Sequence, residues 1–328
     1  MVAAPPNSPR RIARLRYRPV TRRDLDECLS LLPPWLGLSA QTRQALPQLW
    51  QHLVDEPSVI SAVIEDLALP ADRIQAWGVS LILPKQLVRE LRLDDEPNAF
   101  ITRRLYEALI DGSFRPMTDR EIGTENAAGE LTMLILHFSA RQFGAENPYG
   151  HSLVAVANDT YRTFHYGYRL RAIYYETNAT DDYAAAGSGF MRRRLVDEDS
   201  LSGLPLELRP AYFGLTHEQA WNQMPGPPAR NNFEHQPPLF CFSASQRRLL
   251  WFALFDESDD ALMPILEVSV HGLKKLWRGI YERIEDRMPS FFGDAAGGDD
   301  GKRGPEKRRQ VMAYVRQRLE ELRPWAPG

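Results

Sequence analysis

At 328 residues the chain is long enough for two domains that each bury a core, and its 43% apolar and 25% charged residues match an ordinary globular protein. A formal net charge of −3 excludes attraction to a polyanion through bulk charge, so any nucleic-acid contact must come from a local basic face. No apolar run approaches the roughly 20 residues needed to span a bilayer, and Cys28 and Cys241, set apart among apolar neighbours, predict two buried thiols in a cytoplasmic protein rather than a disulfide or zinc site.

Residues 1–16, rich in Pro and Arg with no apolar stretch, read as a disordered basic tail rather than a secretory signal. An extended piece follows, and Thr21 three residues before Asp24 has the spacing of a capping box. Leu25, Cys28, Leu29 and Leu32 then share a helical face until Pro33-Pro34 stops it, and Leu46, Leu49, Trp50 and Leu53 mark a second helix. Two strands, 59–65 and 74–83, flank a turn containing Pro70 and Asp72. Helices are predicted over 85–91 and 99–110 and from Thr118, with Glu121 as its capping partner. Residues 131–138 form the best strand in the chain, apolar enough to be covered on both faces. A helix over 152–166 carries Leu153, Ala157, Tyr161 and Phe164 on one face and ends at Gly167, with a strand over 171–177 behind it. Strands alternating with helices argue an α/β domain over 17–190. Loops rich in Pro and Gly make 191–238 a linker region. His137, His151 and His165 lack metal-ligand spacing and read as separate core or surface histidines. No nucleophile elbow or P-loop is present, so no catalytic residue or metal site is predicted.

From residue 239 the pattern is all-α. Ser243 can cap a helix that Trp251, Phe252 and Phe255 make apolar nearly all round, so it must be covered on more than one side. A short helix follows, then a tight turn over 267–269, and Ser269 is the N-cap of a third helix. Leu273, Leu276 or Trp277, Ile280 and Ile284 form its apolar stripe, while His271, Lys274, Lys275 and Arg278 lie off it. One buried face and one face of long donors is the layout of a DNA recognition helix. After a loop over 293–304, residues 305–328 read as a basic helix beginning with Lys307, Arg308 and Arg309, which are candidate phosphate contacts.

These residues resemble the LuxR-type helix-turn-helix over 239–292. Phe242-Ser243 and Gln246 stand at its start, Ser258 at its serine, Leu266, Val268 and Ser269 at its turn, and Leu273-Lys274 in its third helix. The run from Lys274 to Arg283 and the ending that includes Glu320, Glu321, Leu322, Arg323 and Pro324 resemble a subgroup of such regulators. Asp256, Ala261, Pro264 and Gly272 depart from the pattern. The resemblance implies double-stranded DNA as partner, read by a homodimer, with His271, Gly272 and Lys275 at base edges, Lys274 and Arg278 on phosphates, and Arg283 as a further contact.

The α/β domain resembles the GNAT acyltransferase fold. Tyr17-Arg18-Pro19-Val20-Thr21 with Asp24-Leu25 is similar to the opening of that superfamily, 74–78 with Trp77 to its aromatic strand, and 164–169 to the turn after its last long helix. The resemblance implies acetyl-CoA, its pyrophosphate held by a loop whose counterpart is Arg141, Gln142, Phe143, Gly144 and Ala145. Glu146 departs from the pattern by placing a carboxylate where the phosphates would approach. The expectation is therefore a cytoplasmic transcriptional regulator, not an enzyme, without a cofactor, whose GNAT-like domain senses a small-molecule effector or dimerises. The alternatives are a CoA-dependent N-acyltransferase fused to a helix-turn-helix, or an interaction adaptor.

Overall fold

A computed structural model of the protein describes residues 13–142, 148–255, 257–293 and 300–326. Seven strands form one sheet in the order β1-β2-β3-β4-β5-β7-β6: β1 (Leu15–Pro19), β2 (Val59–Asp66), β3 (Ile74–Leu83), β4 (Leu131–Ala140), β5 (Leu170–Asn178), β6 (Met191–Arg193) and β7 (Pro210–Thr216). All neighbours are antiparallel except β4 and β5. That parallel pair requires a crossover, supplied by α6 (Pro148–His165). The remaining helices of this part are α1 (Leu25–Ser30), α2 (Ala40–Leu53), α3 (Lys85–Glu90), α4 (Ile101–Asp111), α5 (Asp119–Ala128), α7 (Asp182–Gly187), α8 (His217–Trp221) and α9 (Pro228–Asn231).

The central strands are apolar on both sides because both faces are covered. Leu134 and Leu136 of β4 enter a core with Trp50, Trp77, Leu105 and Tyr106 under α2 and α4. Met133 and Ile135 enter a second core with Phe164 and Phe213 under α5 and α6. The order of strands and helices up to β5 is the one read from the sequence, and the sheet is mixed and flanked by helices.

Two boundaries and the burial of one cysteine differ from the sequence reading. The region 191–238 is not a linker: β7 pairs with β5 from Ala172↔Thr216 to Asn178↔Pro210, and β6 closes the edge beyond it. Most of its prolines and glycines lie outside the apolar strand that includes Ala211, Tyr212, Phe213 and Leu215, whose burial outweighs the composition on either side. The basic tail gives way to β1 at Leu15, and residues 1–12 lie outside the described residues. Cys28 is buried as expected, whereas Cys241 is only half-buried.

The chain beyond Phe242 is helical: α10 (Ala244–Ala253), α11 (Asp259–Leu266), α12 (Val270–Arg287) and α13 (Asp300–Gln317). The helix expected over 305–328 stops at Gln317, and a 3-10 turn follows at Leu319–Leu322. Within the loop expected over 293–304, residues 294–299 lie outside the described residues, as does Asp256. Ser243, Ser258 and Ser269 cap α10, α11 and α12 through their side chains. Phe240, Leu249, Leu250, Leu262, Leu273, Trp277, Ile280 and Val311 make a core of their own. Among the described residues no helix is long and apolar enough to cross a membrane.

Candidate functional site

The site starts from a one-residue irregularity in β4. Val79 pairs with His137 but Ser80 pairs with Ile135, so Leu136 is an extra, bulged residue. A bulge bends its strand and increases the local twist. At that level β4 leaves β5: their ladder ends at Ile135↔Tyr175, while β4 runs on to Ala140 and β5 to Asn178. The polar groups freed on one face are met by the N-terminus of α4. Thr102 Oγ1 donates to the Leu136 carbonyl at 2.8 Å, and the fully buried Glu176 carboxylate accepts the backbone N–H groups of Ile101 and Thr102 at 3.0 Å each. A carboxylate at a helix N-terminus is favoured by the helix dipole. Burial nevertheless raises its pKa, against those same N–H bonds.

Into this divergence opens a cavity of about 700 Å³, the size that encloses a small organic ligand. Its walls are mainly apolar. Ile60, Ala62, Ile135 and Phe164 line it beneath α6, and Pro34 and Trp35 line it from the other face of the sheet. It therefore threads the sheet between β4 and β5. Small residues make the room: Ala62, Ala76 and Gly78 all border it, and a β-carbon placed on Gly78 would have only Phe138 Cδ2 within 4 Å, at 3.6 Å. Glycine inside a strand often marks close approach of a ligand.

All three histidines that the sequence reading treats as unrelated border this one cavity. His165 Nδ1 donates to the Tyr161 carbonyl at 2.8 Å, an acceptor only, so Nε2 of the neutral ring accepts the Ser80 hydroxyl at 2.8 Å. Burial pushes the His165 pKa down to about 4, with Arg323 adding to the effect. On the opposite face His137 lies between Ser139 Oγ and Tyr106 Oη, at 3.2 Å from each, with its ring edge against Trp77. Burial takes its pKa down to about 3. Both rings are uncharged at neutral pH. The cavity thus offers a long apolar body with one neutral Ser–His pair on each side of the sheet. What could have flagged them is polarity inside apolar strands: Ser80 in β3, and His137 and Ser139 in β4, alternate with core residues.

Two of the expected pyrophosphate residues, Arg141 and Gln142, fall within the described residues. Arg141 is engaged elsewhere: Nε donates to the Ile74 carbonyl at 2.9 Å, and Nη2 pairs with Glu27 and Asp72. Gln142 is exposed, and Phe143, Gly144 and Ala145, with Glu146, lie outside the described residues. Among the described residues no cluster of His, Cys, Asp or Glu could hold a metal ion.

In the C-terminal helices, α11 ends at Glu267, which takes a left-handed conformation, and Ser269 opens α12 directly after this corner. Gly272 stands close to the corner: a β-carbon there would approach Val268 Cβ to 3.3 Å. Leu273, Trp277, Ile280 and Ile284 are buried, whereas His271, Lys274, Lys275 and Arg278 are exposed on one side. Among the described residues these two lysines and Arg278 form no ion pair.

Four other candidate cations are occupied within the chain. Arg283 is a structural donor, bonding the Cys241 carbonyl at 2.9 Å. Lys307 pairs with Glu285 at 2.6 Å, Arg308 with Asp259 at 2.6 Å while lying over Trp277, and Arg309 with Glu306 at 2.7 Å. Arg283 thus meets a backbone carbonyl, and the other three each meet a carboxylate.

No protein-family model matches the sequence, and no curated protein matches it. Among solved structures the chain is similar to mutant forms of the spermidine/spermine N-acetyltransferase SpeG from Vibrio cholerae, at 11% identity and a TM-score of 0.34, over 64% of this chain and 98% of that one. It is likewise similar to FeeM, an N-acyl amino acid synthase from uncultured soil microbes, at 11% identity and a TM-score of 0.34, over 63% of this chain and 94% of that one.

Proposed function

We propose that this protein is an N-acyltransferase of GNAT-like architecture joined to a helical DNA-reading module. The observation that carries the first part is the mainly apolar cavity threading the sheet where β4 leaves β5. An acyl chain fits its walls, and because residues of both faces of the sheet border it, an acyl thioester and an amine would meet at the divergence. The amine nitrogen would attack the thioester carbonyl, the C–S bond would break, and the amine proton would finish on the departing thiol. Incubating the full chain with acetyl-, hexanoyl- or dodecanoyl-CoA, and with an amino acid or a polyamine, tests it. Thiol release that needs both partners is the expected result. Binding of the thioesters without turnover for any pair would reduce the domain to an acyl-binding one.

The C-terminal reading is favoured by a separate observation: Lys274, Lys275 and Arg278 are exposed together on a helix whose other side is buried. That helix, α12, fits the role of a recognition helix, α11 and the corner at Glu267 completing a helix-turn-helix that binds a two-fold site as a homodimer. Duplex-DNA titrations over a range of salt concentrations test this. Replacing Lys274 and Lys275 by Ala should weaken binding and flatten the salt dependence by roughly one unit of log–log slope for each phosphate no longer neutralised. Unchanged binding would remove the DNA-reading role.

A further inference from the structure

The far wall of the cavity is also the floor beneath the C-terminal helices. Phe164, near the end of α6, lines the cavity and meets Trp251 of α10 edge to face, with ring centroids 4.7 Å apart. Phe255, just after α10, packs on Phe164 at 5.6 Å and on Tyr17 of β1 at 5.9 Å. Arg323 lies against the rings of Trp251 and Tyr168 and donates to the Thr163 and Tyr166 carbonyls at 2.8 Å each. The end of α6 is therefore held by the cavity on one side and by α10 with the C-terminal segment on the other. From α10 the path continues: Arg248 donates to the Ile265 carbonyl of α11 at 3.0 Å, and Leu249 and Leu250 share a core with Leu273 and Trp277 of α12.

We infer that the cavity is a sensing site as well as an acyl site: an acyl group seated beside Phe164 alters the hold of α12 on DNA, through the Phe164–Trp251 pair. The inference rests on the acyl and DNA readings above and adds the coupling between them. Packed aromatic rings repack between discrete arrangements rather than deform continuously. Filling the cavity against Phe164 thus favours one seating of α10 over another. Coupling of this kind is reciprocal, so DNA must change acyl affinity by the same factor as the acyl group changes DNA affinity.

The test uses the full chain, dodecanoyl-CoA as the acyl probe, and a duplex selected from random sequence by the acyl-free protein at fixed salt. The expected result is a shift in DNA affinity of at least about fivefold on adding the thioester, the size usual for coupled sites, and the same factor in the reverse titration. Amide exchange in α10 should change when dodecanoyl-CoA alone is added. Trp251 does not border the cavity, so W251L should keep its acyl affinity and lose the coupling. An acyl group that binds without altering DNA affinity or α10 exchange overturns the inference and leaves the acyltransferase reading standing. Coupling that survives in W251L overturns the route. No binding of the thioester overturns both readings, and acyl binding by a chain that takes up no duplex overturns the sensing role.

Discussion

Ser80 donates its hydroxyl to Nε2 of His165 at 2.8 Å and so ties the sheet to the last turn of α6 across the cavity wall. The bond requires an uncharged imidazole, which predicts acid sensitivity. His165 holds its pKa near 4 in the fold against 6.5 for the free side chain. Above pH 6.5 both states are neutral and the bond is intact. As pH falls from 6.5 towards 4 the unfolded chain takes up a proton that the folded chain refuses, so stability declines. The loss attributable to His165 approaches about 3 kcal/mol, at 1.36 kcal/mol per pH unit. Urea unfolding across this window should be less steeply pH-dependent in H165Q than in the wild type, and parallel curves would remove the assignment.

Gly78 is expected to control the capacity of the cavity without supporting the fold. Its missing β-carbon leaves open space, with Phe138 at an ordinary 3.6 Å. G78L should therefore keep a melting temperature within a few degrees of wild type while filling the space an acyl chain would occupy. A large loss of thermal stability would show that the space is needed for packing instead.

Gly167 marks the meeting of the turn after α6 with the C-terminal segment. Its φ is +93°, and a β-carbon would fall 2.7 Å from the Glu320 backbone nitrogen. G167A should cost more than about 1 kcal/mol, because both the left-handed backbone and the close approach oppose a side chain. R323M should cost on the order of 3 kcal/mol through its two charge-assisted bonds to the end of α6. Denaturant titration of each variant checks both values.

Lys275 and Arg283 sit on the same helix with opposite expected effects. Lys275 is exposed, so K275A should lower DNA affinity and leave stability within about 0.5 kcal/mol. Arg283 holds the Cys241 carbonyl, so R283A should destabilise by about 1–2 kcal/mol and leave the salt slope of DNA binding unchanged. The two readouts, unfolding and salt-dependent binding, separate a surface donor from a structural one.

Much of the framework was legible because short-range chemistry specifies it. Thr118 with Glu121, Ser243, and Ser269 announced helix starts that the structure contains. Leu273, Ile280 and Ile284 had the period of a buried stripe and are buried, and of the alternatives Leu276 and Trp277 it is Trp277 that is buried. The strand β7 was hidden because its pairing with β5 is long-range and its flanks are rich in turn residues. The cavity was hidden for a related reason: it arises where two strands stop pairing, which no local pattern encodes. Its traces were the small residues Ala62, Ala76 and Gly78 and the polar Ser80, His137 and Ser139 within otherwise apolar strands. The partners of Arg283 and of Lys307 to Arg309 were not legible, because helix periodicity shows where a cation points but not which carbonyl or carboxylate meets it.

The most direct test of the acyl reading is a calorimetric titration of the full chain with acetyl-, hexanoyl- and dodecanoyl-CoA, repeated on G78L. Affinity should climb with chain length by up to about 0.8 kcal/mol for each methylene buried in the cavity, and the gain should vanish in G78L. Equal affinity for all three thioesters, or a chain-length dependence that G78L leaves intact, would contradict an acyl chain between β4 and β5.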